Sequence, residues 1–200
     1  MLHNTPMSAR LISLVNALDQ RNWHAALELG LALPLLCVHL ERGACRDQRG
    51  RFVAWFDRFV LPHLDEEALP GGRGARALRR FTGEDCFAIR CLVLQDDSAR
   101  IRGRQVVLRS ADGHEIAYDI TLHHPGPSGP DELPAVSDTR CEEANGLVTV
   151  HIDVYVLCMC IAKGVVAWLE RAEDDPDLVQ RIADLITIDQ PEAEAEQARA

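Results

Sequence analysis

The sequence predicts a mainly α fold, a helical bundle with a small antiparallel β-hairpin or sheet inserted before its last long helix. Apolar residues recur at helical spacing through most of the first hundred residues and again over Val154–Ala172. Between these stretches, at about 104–152, apolar and polar residues alternate instead, and Asp112-Gly113 is typical of a hairpin turn. Residues 1–190 are therefore predicted to form a single domain with a β insertion, and residues 191–200 a disordered tail.

Local start and stop signals set the predicted helix boundaries. Thr5 precedes Pro6, which needs no N–H at the first helical position, and Asn22 can cap the next helix. Pro34 lacks the N–H of a helix interior, so this second helix is predicted to break near Leu33 and a new one to begin. The predicted helices are Pro6 to about Arg21, Trp23–Leu33, Pro34–Glu41, Phe52–Leu61, 82–95, Val154–Ala172 and Leu178–Ile188.

The β insertion is predicted to contain two or three strands. Arg104–Ser110 and His114–Leu122 flank the Asp-Gly pair and form the hairpin, and Leu147–Ile152 adds a third strand. The stretch His123–Glu143 holds four prolines and is predicted to be loop, because proline cannot donate to a strand ladder. Arg42–Arg51 and Asp65–Gly74 are also predicted to be loops.

Composition limits the classes of function. The 200 residues are 47% hydrophobic, which is enough for a core that needs no disulfide or metal. A net charge of −10 argues against nonspecific adhesion to nucleic acid or to an anionic membrane. Nine arginines between Arg73 and Arg109 nevertheless make this third of the chain basic. A solvated face paired with acidic residues is the expected explanation, and a phosphate-binding strip is the alternative.

Cysteine usage and apolar runs predict a reduced, cytoplasmic protein without a signal peptide or membrane span. The seven cysteines are odd in number, irregularly spaced and mostly inside apolar helical patterns. The runs Leu29–Leu40 and Val154–Leu169 are interrupted by polar residues or proline and fall short of a span.

No metal or cofactor is predicted. The spacing of the histidines and cysteines in the second half of the chain fits none of the usual zinc patterns. These residues are His123, His124, Cys141, His151, Cys158 and Cys160. Gly71-Gly72-Arg73-Gly74 lacks the Lys-Ser/Thr that follows a phosphate-binding loop, and a thiol redox site is not expected without Cys-x-x-Cys.

One predicted helix carries an arginine among apolar residues. Thr82 and Asp85 are spaced to cap each other at its start. Arg90 then interrupts the apolar pattern and must find a carboxylate, a carbonyl, a phosphate or water, because an unpaired buried guanidinium is too costly. An ion pair with Glu84, Asp85 or a carboxylate of another helix is the structural interpretation, and an anion from outside the fold is the functional one.

The stretch from Gly83 to Gln95 resembles the arginine helix of the HEPN superfamily. The hallmark of that family is an arginine followed, after four to six positions, by a histidine near the helix end. Arg90 matches the arginine, and Gln95 stands where the histidine would be. The resemblance implies a helical bundle that forms a homodimer with its arginine helices facing each other. In active members the cleft between them cleaves RNA without a metal.

The resemblance implies that this chain is an impaired or non-catalytic member. Glutamine cannot carry a proton, whereas the family's chemistry uses histidine as acid or base and arginine to stabilise the charged phosphorane. Arg90 and Gln95 could still bind phosphate, so the expected partners are a nucleotide, an RNA or another protein. One alternative is an active ribonuclease in which His63, His114 or His123 replaces the histidine. The other is a protein-interaction module that docks through the hairpin and the proline-rich loop.

Overall fold

The fold is mainly helical, as predicted, with one five-stranded sheet. A computed structural model describes residues 5–42, 47–67, 80–95, 99–109, 113–124, 140–144 and 146–185. The helices are α1 (Pro6–Asp19), α2 (Trp23–Arg42), α3 (Gln48–Phe59), α4 (Leu61–Glu67), α5 (Gly83–Leu94), α6 (Val154–Ala172) and α7 (Pro176–Ala183). The strands are β1 (Arg100–Arg102), β2 (Gln105–Arg109), β3 (Glu115–His123), β4 (Arg140–Ala144) and β5 (Leu147–Asp153).

Helix α6 is the central helix of the bundle and packs against α1, α2, α3, α4 and α7. It begins where Asp153 accepts a hydrogen bond from the Val156 backbone N–H at 3.1 Å, which caps the helix. Glycines allow two close approaches along it. Gly164 lies against the last turn of α3, and Gly30 of α2 lies against Cys158. These contacts bring the helix backbones closer together than larger side chains would permit.

The predicted break at Pro34 is wrong, because α2 runs without interruption from Trp23 to Arg42. The missing N–H of Pro34 removes one helical hydrogen bond. The helix nevertheless buries residues on both sides of the proline, including Leu31 and Cys37, in the same core. Tertiary packing of the two halves thus outweighs the local penalty.

The sheet is mixed, so the predicted antiparallel hairpin is only part of it. Strand order is β1-β2-β3-β5-β4, and β3 pairs with β5 in parallel. The β2–β3 pair is the predicted hairpin, with Val106 opposite Tyr118. Strand β4 lies at the end of a segment that was predicted to be loop, and it pairs antiparallel with β5. Gly146, at φ 76°, lies in the turn between them, a conformation that glycine adopts without strain.

In the part of the chain that the structure describes, helices cover one face of the sheet. Inward residues such as Tyr118, Ile120 and Val150 are buried beneath α5 and α6. Because side chains alternate along a strand, their neighbours Thr121 and His151 lie on the opposite face, where residues of β3 and β5 are half-buried or exposed. The sheet and the helices therefore form two layers.

Other element boundaries differ from the predictions by about one turn. Helix α3 begins at Gln48 rather than Phe52, because Asp47 accepts a hydrogen bond from the Gly50 backbone N–H at 2.8 Å. Helix α4 covers Leu61–Glu67, part of which was predicted to be loop. Helix α7 begins at Pro176 and is capped by Asp175. The proline-rich loop and the predicted disordered tail lie outside the described residues.

Among the described residues, one helical stretch is long and apolar enough to cross a membrane by length and composition alone. It is Trp23–Glu41, 19 residues with a mean hydropathy of 1.4. The sequence pattern had suggested that this region falls short of a span. Half of the stretch is buried in the fold, as in a core helix.

Candidate functional site

The arginine helix α5 begins with the predicted reciprocal cap. Asp85 is fully buried and its Oδ2 accepts from both the backbone N–H and the hydroxyl of Thr82, each at 2.8 Å. The backbone N–H of Gly83 donates to Asp57 Oδ1 of α3 at 2.7 Å. These hydrogen bonds hold the first turn of α5 against α3. This contact sets the direction of the rest of α5.

Replacing Asp85 by Asn should destabilise the protein by about 2 kcal/mol. The amide has the shape of the carboxylate but no negative charge. The two hydrogen bonds that Thr82 donates to this side chain are therefore weaker in the variant. Urea unfolding of the variant checks this. Asp184→Asn is the control, since Asp184 is exposed and accepts a hydrogen bond from the exposed Gln180 at 2.8 Å. Equal stability losses in the two variants would contradict the structural role of the Asp85 cap.

Arg90 lies halfway between the core and the surface. The residues preceding it on α5, from Asp85 to Ile89, are buried, whereas Arg90 itself is half-buried. Its guanidinium carbon lies 5.8 Å from the ring centroid of Phe87, one turn earlier, in a cation–π arrangement. The guanidinium therefore lies beside an aromatic ring at the edge of the buried part of α5.

Gln95 lies just beyond the last turn of α5. It is the C-cap, has a left-handed backbone at φ 52°, and is exposed. Its amide nitrogen donates to the Leu92 carbonyl at 2.8 Å, so the side chain turns back onto its own helix. Arg90 and Gln95 thus lie at the same accessible end of α5, with the half-buried Val93 and Leu94 between them.

The two acidic residues suggested as partners of Arg90 both make other contacts. Glu84 forms an ion pair with Arg49 of α3 at 2.7 Å, and the same arginine donates to the Arg109 carbonyl of β2 at 2.5 Å. Asp85 caps Thr82, as described above. These contacts connect the start of α5 to α3 and the sheet.

His123, one suggested replacement for the missing histidine, lies on the wrong side of the sheet. Helix α5 covers the face of β2 and β3 that contains Leu108 and Ile120, whereas His123 belongs to the opposite face by strand alternation. Its Nε2 lies 3.3 Å from His151 Nδ1. His114 is exposed beside the β2–β3 turn and His63 is half-buried on α4. The structure therefore does not bring His123 to Arg90.

The histidines and cysteines considered as metal ligands do not converge. Cys158 and Cys160 are buried in the helical core, whereas His123 and His151 form a pair on the open sheet face. His124 instead stacks on Trp23, with ring centroids 5.7 Å apart. Within the described part of the chain, no three His, Cys, Asp or Glu side chains are arranged to hold a metal ion.

Basic residues flanking α5 are paired with acidic side chains, which favours the solvated-face interpretation of the arginine-rich segment. Arg80 forms two hydrogen bonds with Asp65. On the sheet, Arg104 pairs with Asp119 at 2.7 Å, and both Arg100 and Arg109 pair with Glu115. These ion pairs neutralise the arginines, so less positive charge remains to bind phosphate along this segment.

Two adjoining cavities lie near the C-terminal end of α2 and were not predicted. One, of about 210 Å³, lies between α2 and α3 and is lined by Trp55. The other, of about 430 Å³, is lined by residues of α6 and α7. Glu41 and Arg58 line both cavities.

We found no match to this chain among protein-family models, curated proteins or solved structures.

Proposed function

We propose that this protein is a non-catalytic, HEPN-like binding protein that forms a homodimer through the C-terminal half of α5. Arg90 and Gln95 would together contact a phosphate of a nucleotide or RNA, or an acidic group of a partner protein. The observation that carries the proposal is the accessible end of α5, where these two donors flank the apolar Val93 and Leu94. An apolar strip beside donors suits an interface that also binds an anion.

The glutamine at the position of the expected histidine favours binding over catalysis. Gln95 cannot exchange a proton near neutral pH, and its amide already donates to the Leu92 carbonyl. His123 is separated from α5 by the sheet. An active ribonuclease would therefore depend on a group other than His123, such as His63 or His114.

RNA cleavage assays test both the function and the family. We expect the wild-type protein and Arg90→Gln to leave mixed RNA intact to the same extent. Gln95→His should create metal-independent cleavage, because it restores the acid–base group that the resemblance requires. The double variant Arg90→Gln/Gln95→His is the matched control and should be inactive. Arg90-dependent cleavage by the wild type would contradict the proposed loss of catalysis, and an inactive Gln95→His would contradict the HEPN resemblance.

Light scattering tests the proposed homodimer, and the salt dependence of binding tests the proposed ligand. Val93→Glu should convert a dimer to a monomer if α5 forms the interface, since it places a like charge on both copies of a two-fold contact. Binding of RNA through phosphate contacts should weaken as salt rises, because those contacts release counterions. RNA binding that is independent of salt would remove the nucleic-acid ligand and leave the protein partner.

A further inference from the structure

The cavity beside Trp55 is formed by one face of α3. Arg51, Trp55 and Arg58 are spaced by four and three residues, so their side chains lie on the same side of the helix. Glu41, near the end of α2, faces them across the cavity. We call this space of about 210 Å³ the Trp55 cleft.

Two hydrogen-bond donors at the Trp55 cleft have no acceptor within the described part of the chain. Trp55 is only 4% exposed, and its indole Nε1 is fully buried. The Nη1 atom of Arg51 is buried as well, and neither atom has a hydrogen-bond partner. Buried donors are bonded in the great majority of cases, because a buried unbonded N–H destabilises the fold. Two exceptions lining one cavity indicate a place for an acceptor that the described residues do not supply.

The neighbouring tryptophan shows what a satisfied indole looks like in the same region. Trp168 Nε1 donates to Glu41 Oε1 at 2.8 Å. The one carboxylate lining the Trp55 cleft is therefore already bonded to a group outside it. Next to Glu41, at the end of α2, Arg181 Nε donates a hydrogen bond to the Leu40 carbonyl at 2.6 Å.

We propose that the Trp55 cleft binds the carboxylate of a small organic acid. The Arg51 guanidinium and the Trp55 indole N–H are donors suited to the two oxygens of a carboxylate, and Arg58 adds a second positive charge at the mouth. Ala54 and Phe59 supply apolar wall for a short hydrocarbon group. This site is on α3 and α2 and does not depend on the function proposed for α5.

Charge selects a monoanion over a dianion. Among the described residues, two arginines and one glutamate line the cleft, and their net formal charge is +1, from +2 and −1. A carboxylate neutralises this charge. A phosphate dianion would bring excess negative charge against Glu41 in a partly buried site, where repulsion is less screened than in water.

Ligand titration of the full-length protein at constant ionic strength tests the proposal. The probes are propionate, benzoate and inorganic phosphate, with chloride as the reference anion. We expect propionate or benzoate to raise the thermal midpoint and to change tryptophan fluorescence in a saturable way. Phosphate should have a smaller effect. A larger response to phosphate would overturn the choice of a carboxylate, and no saturable response to any probe would overturn the site.

Three substitutions distinguish the cleft from general anion effects. Arg51→Gln and Trp55→Phe should each weaken carboxylate binding roughly tenfold or more, since each removes a donor to a charged group. Glu41→Gln should strengthen binding several-fold, because it removes the opposing charge and keeps an acceptor for Trp168. Arg10→Gln, on the exposed face of α1, is the charge-matched control and should leave binding unchanged.

Stability without ligand provides a second readout. Because the Arg51 and Trp55 donors are unsatisfied in the fold, Arg51→Gln and Trp55→Phe should not lower the thermal midpoint by the amount that loss of a bonded donor costs. A variant that fails to fold would contradict this expectation, and Glu41→Gln would still report on binding. Equal binding in all four variants would overturn the proposal.

Discussion

Gly164→Ala should destabilise the protein by about 2 kcal/mol, although alanine is the better helix former. A Cβ at Gly164 would lie 2.8 Å from the Phe59 carbonyl oxygen, 3.0 Å from its carbon and 2.7 Å from Val60 Cγ2. Two of these atoms belong to the backbone and cannot rotate away, so α6 must move off the end of α3. Overpacking of this kind costs up to about 3 kcal/mol, and the gain in helix propensity returns only about 1.

Gly30→Ala is the matched control for this prediction. Its Cβ would meet Cys158 Sγ at 3.2 Å, which is a side-chain atom, and its next contacts are at 3.8 Å. The same propensity gain then roughly offsets a small adjustment, and stability should change by less than about 1 kcal/mol. Urea unfolding at pH 7 measures both variants. Equal losses would mean that the α3–α6 approach is not the tight contact that the fold requires.

Helix caps could be predicted from sequence because they are local. The Thr82–Asp85 cap joins residues three apart, and Asp153 meets an N–H three residues later. Such bonds depend on little beyond the segment itself. The same holds for the Asp112-Gly113 hairpin between β2 and β3, whose register follows from alternation and turn position.

The continuous α2 and the mixed sheet could not be predicted, because both depend on distant partners. Pro34 is accommodated only because residues before and after it pack into the same core. The parallel β3–β5 pair joins segments separated by β4, which lies in a stretch where four prolines had suggested loop. The turn signal just after that stretch, Gly146, could have indicated the β4–β5 pair.

The two candidate sites also differ in how far the sequence could predict them. The sequence singled out Arg90 because a cation interrupts an apolar helix, and the structure places it half-buried beside Phe87. The Trp55 cleft escaped notice because no pattern reveals whether an indole N–H meets an acceptor. Trp55 and Trp168 look equally like core residues in the sequence, yet only Trp168 is bonded to Glu41. This difference depends on the contact between Trp168 and Glu41, which lie 127 residues apart in the sequence.

Raising the pH above 9 should destabilise the protein, because its buried thiols resist ionisation. Burial raises the pKa of Cys158 to about 12, and the nearby Asp153 adds to the shift. Burial is also the main cause that holds the pKa of Cys37 and of Cys86 well above the ordinary value of 9.0. In the unfolded chain these thiols ionise near pH 9, so the unfolded state loses protons that the folded state keeps.

Stability falls as the pH rises because the folded state binds more protons than the unfolded state in this range. The loss begins near pH 9 and continues to about pH 12 for Cys158. Each thiol contributes about 1.4 kcal/mol per pH unit in this window, so three thiols together cost about 4 kcal/mol at pH 10. That is a large share of the roughly 5–15 kcal/mol by which domains of this size are stable.

Urea unfolding at pH 8, 9 and 10 under reducing conditions measures this dependence, and the slope is more informative than the stability itself. Cys158→Ala removes one thiol, so its stability should fall less steeply with pH than that of the wild type, by about 1.4 kcal/mol per unit. Val165→Ala, also buried on α6, controls for the cavity and should keep the wild-type slope. Because a cavity lowers stability equally at every pH while a thiol acts only where it would ionise, identical slopes in all three proteins would exclude thiol burial as the cause.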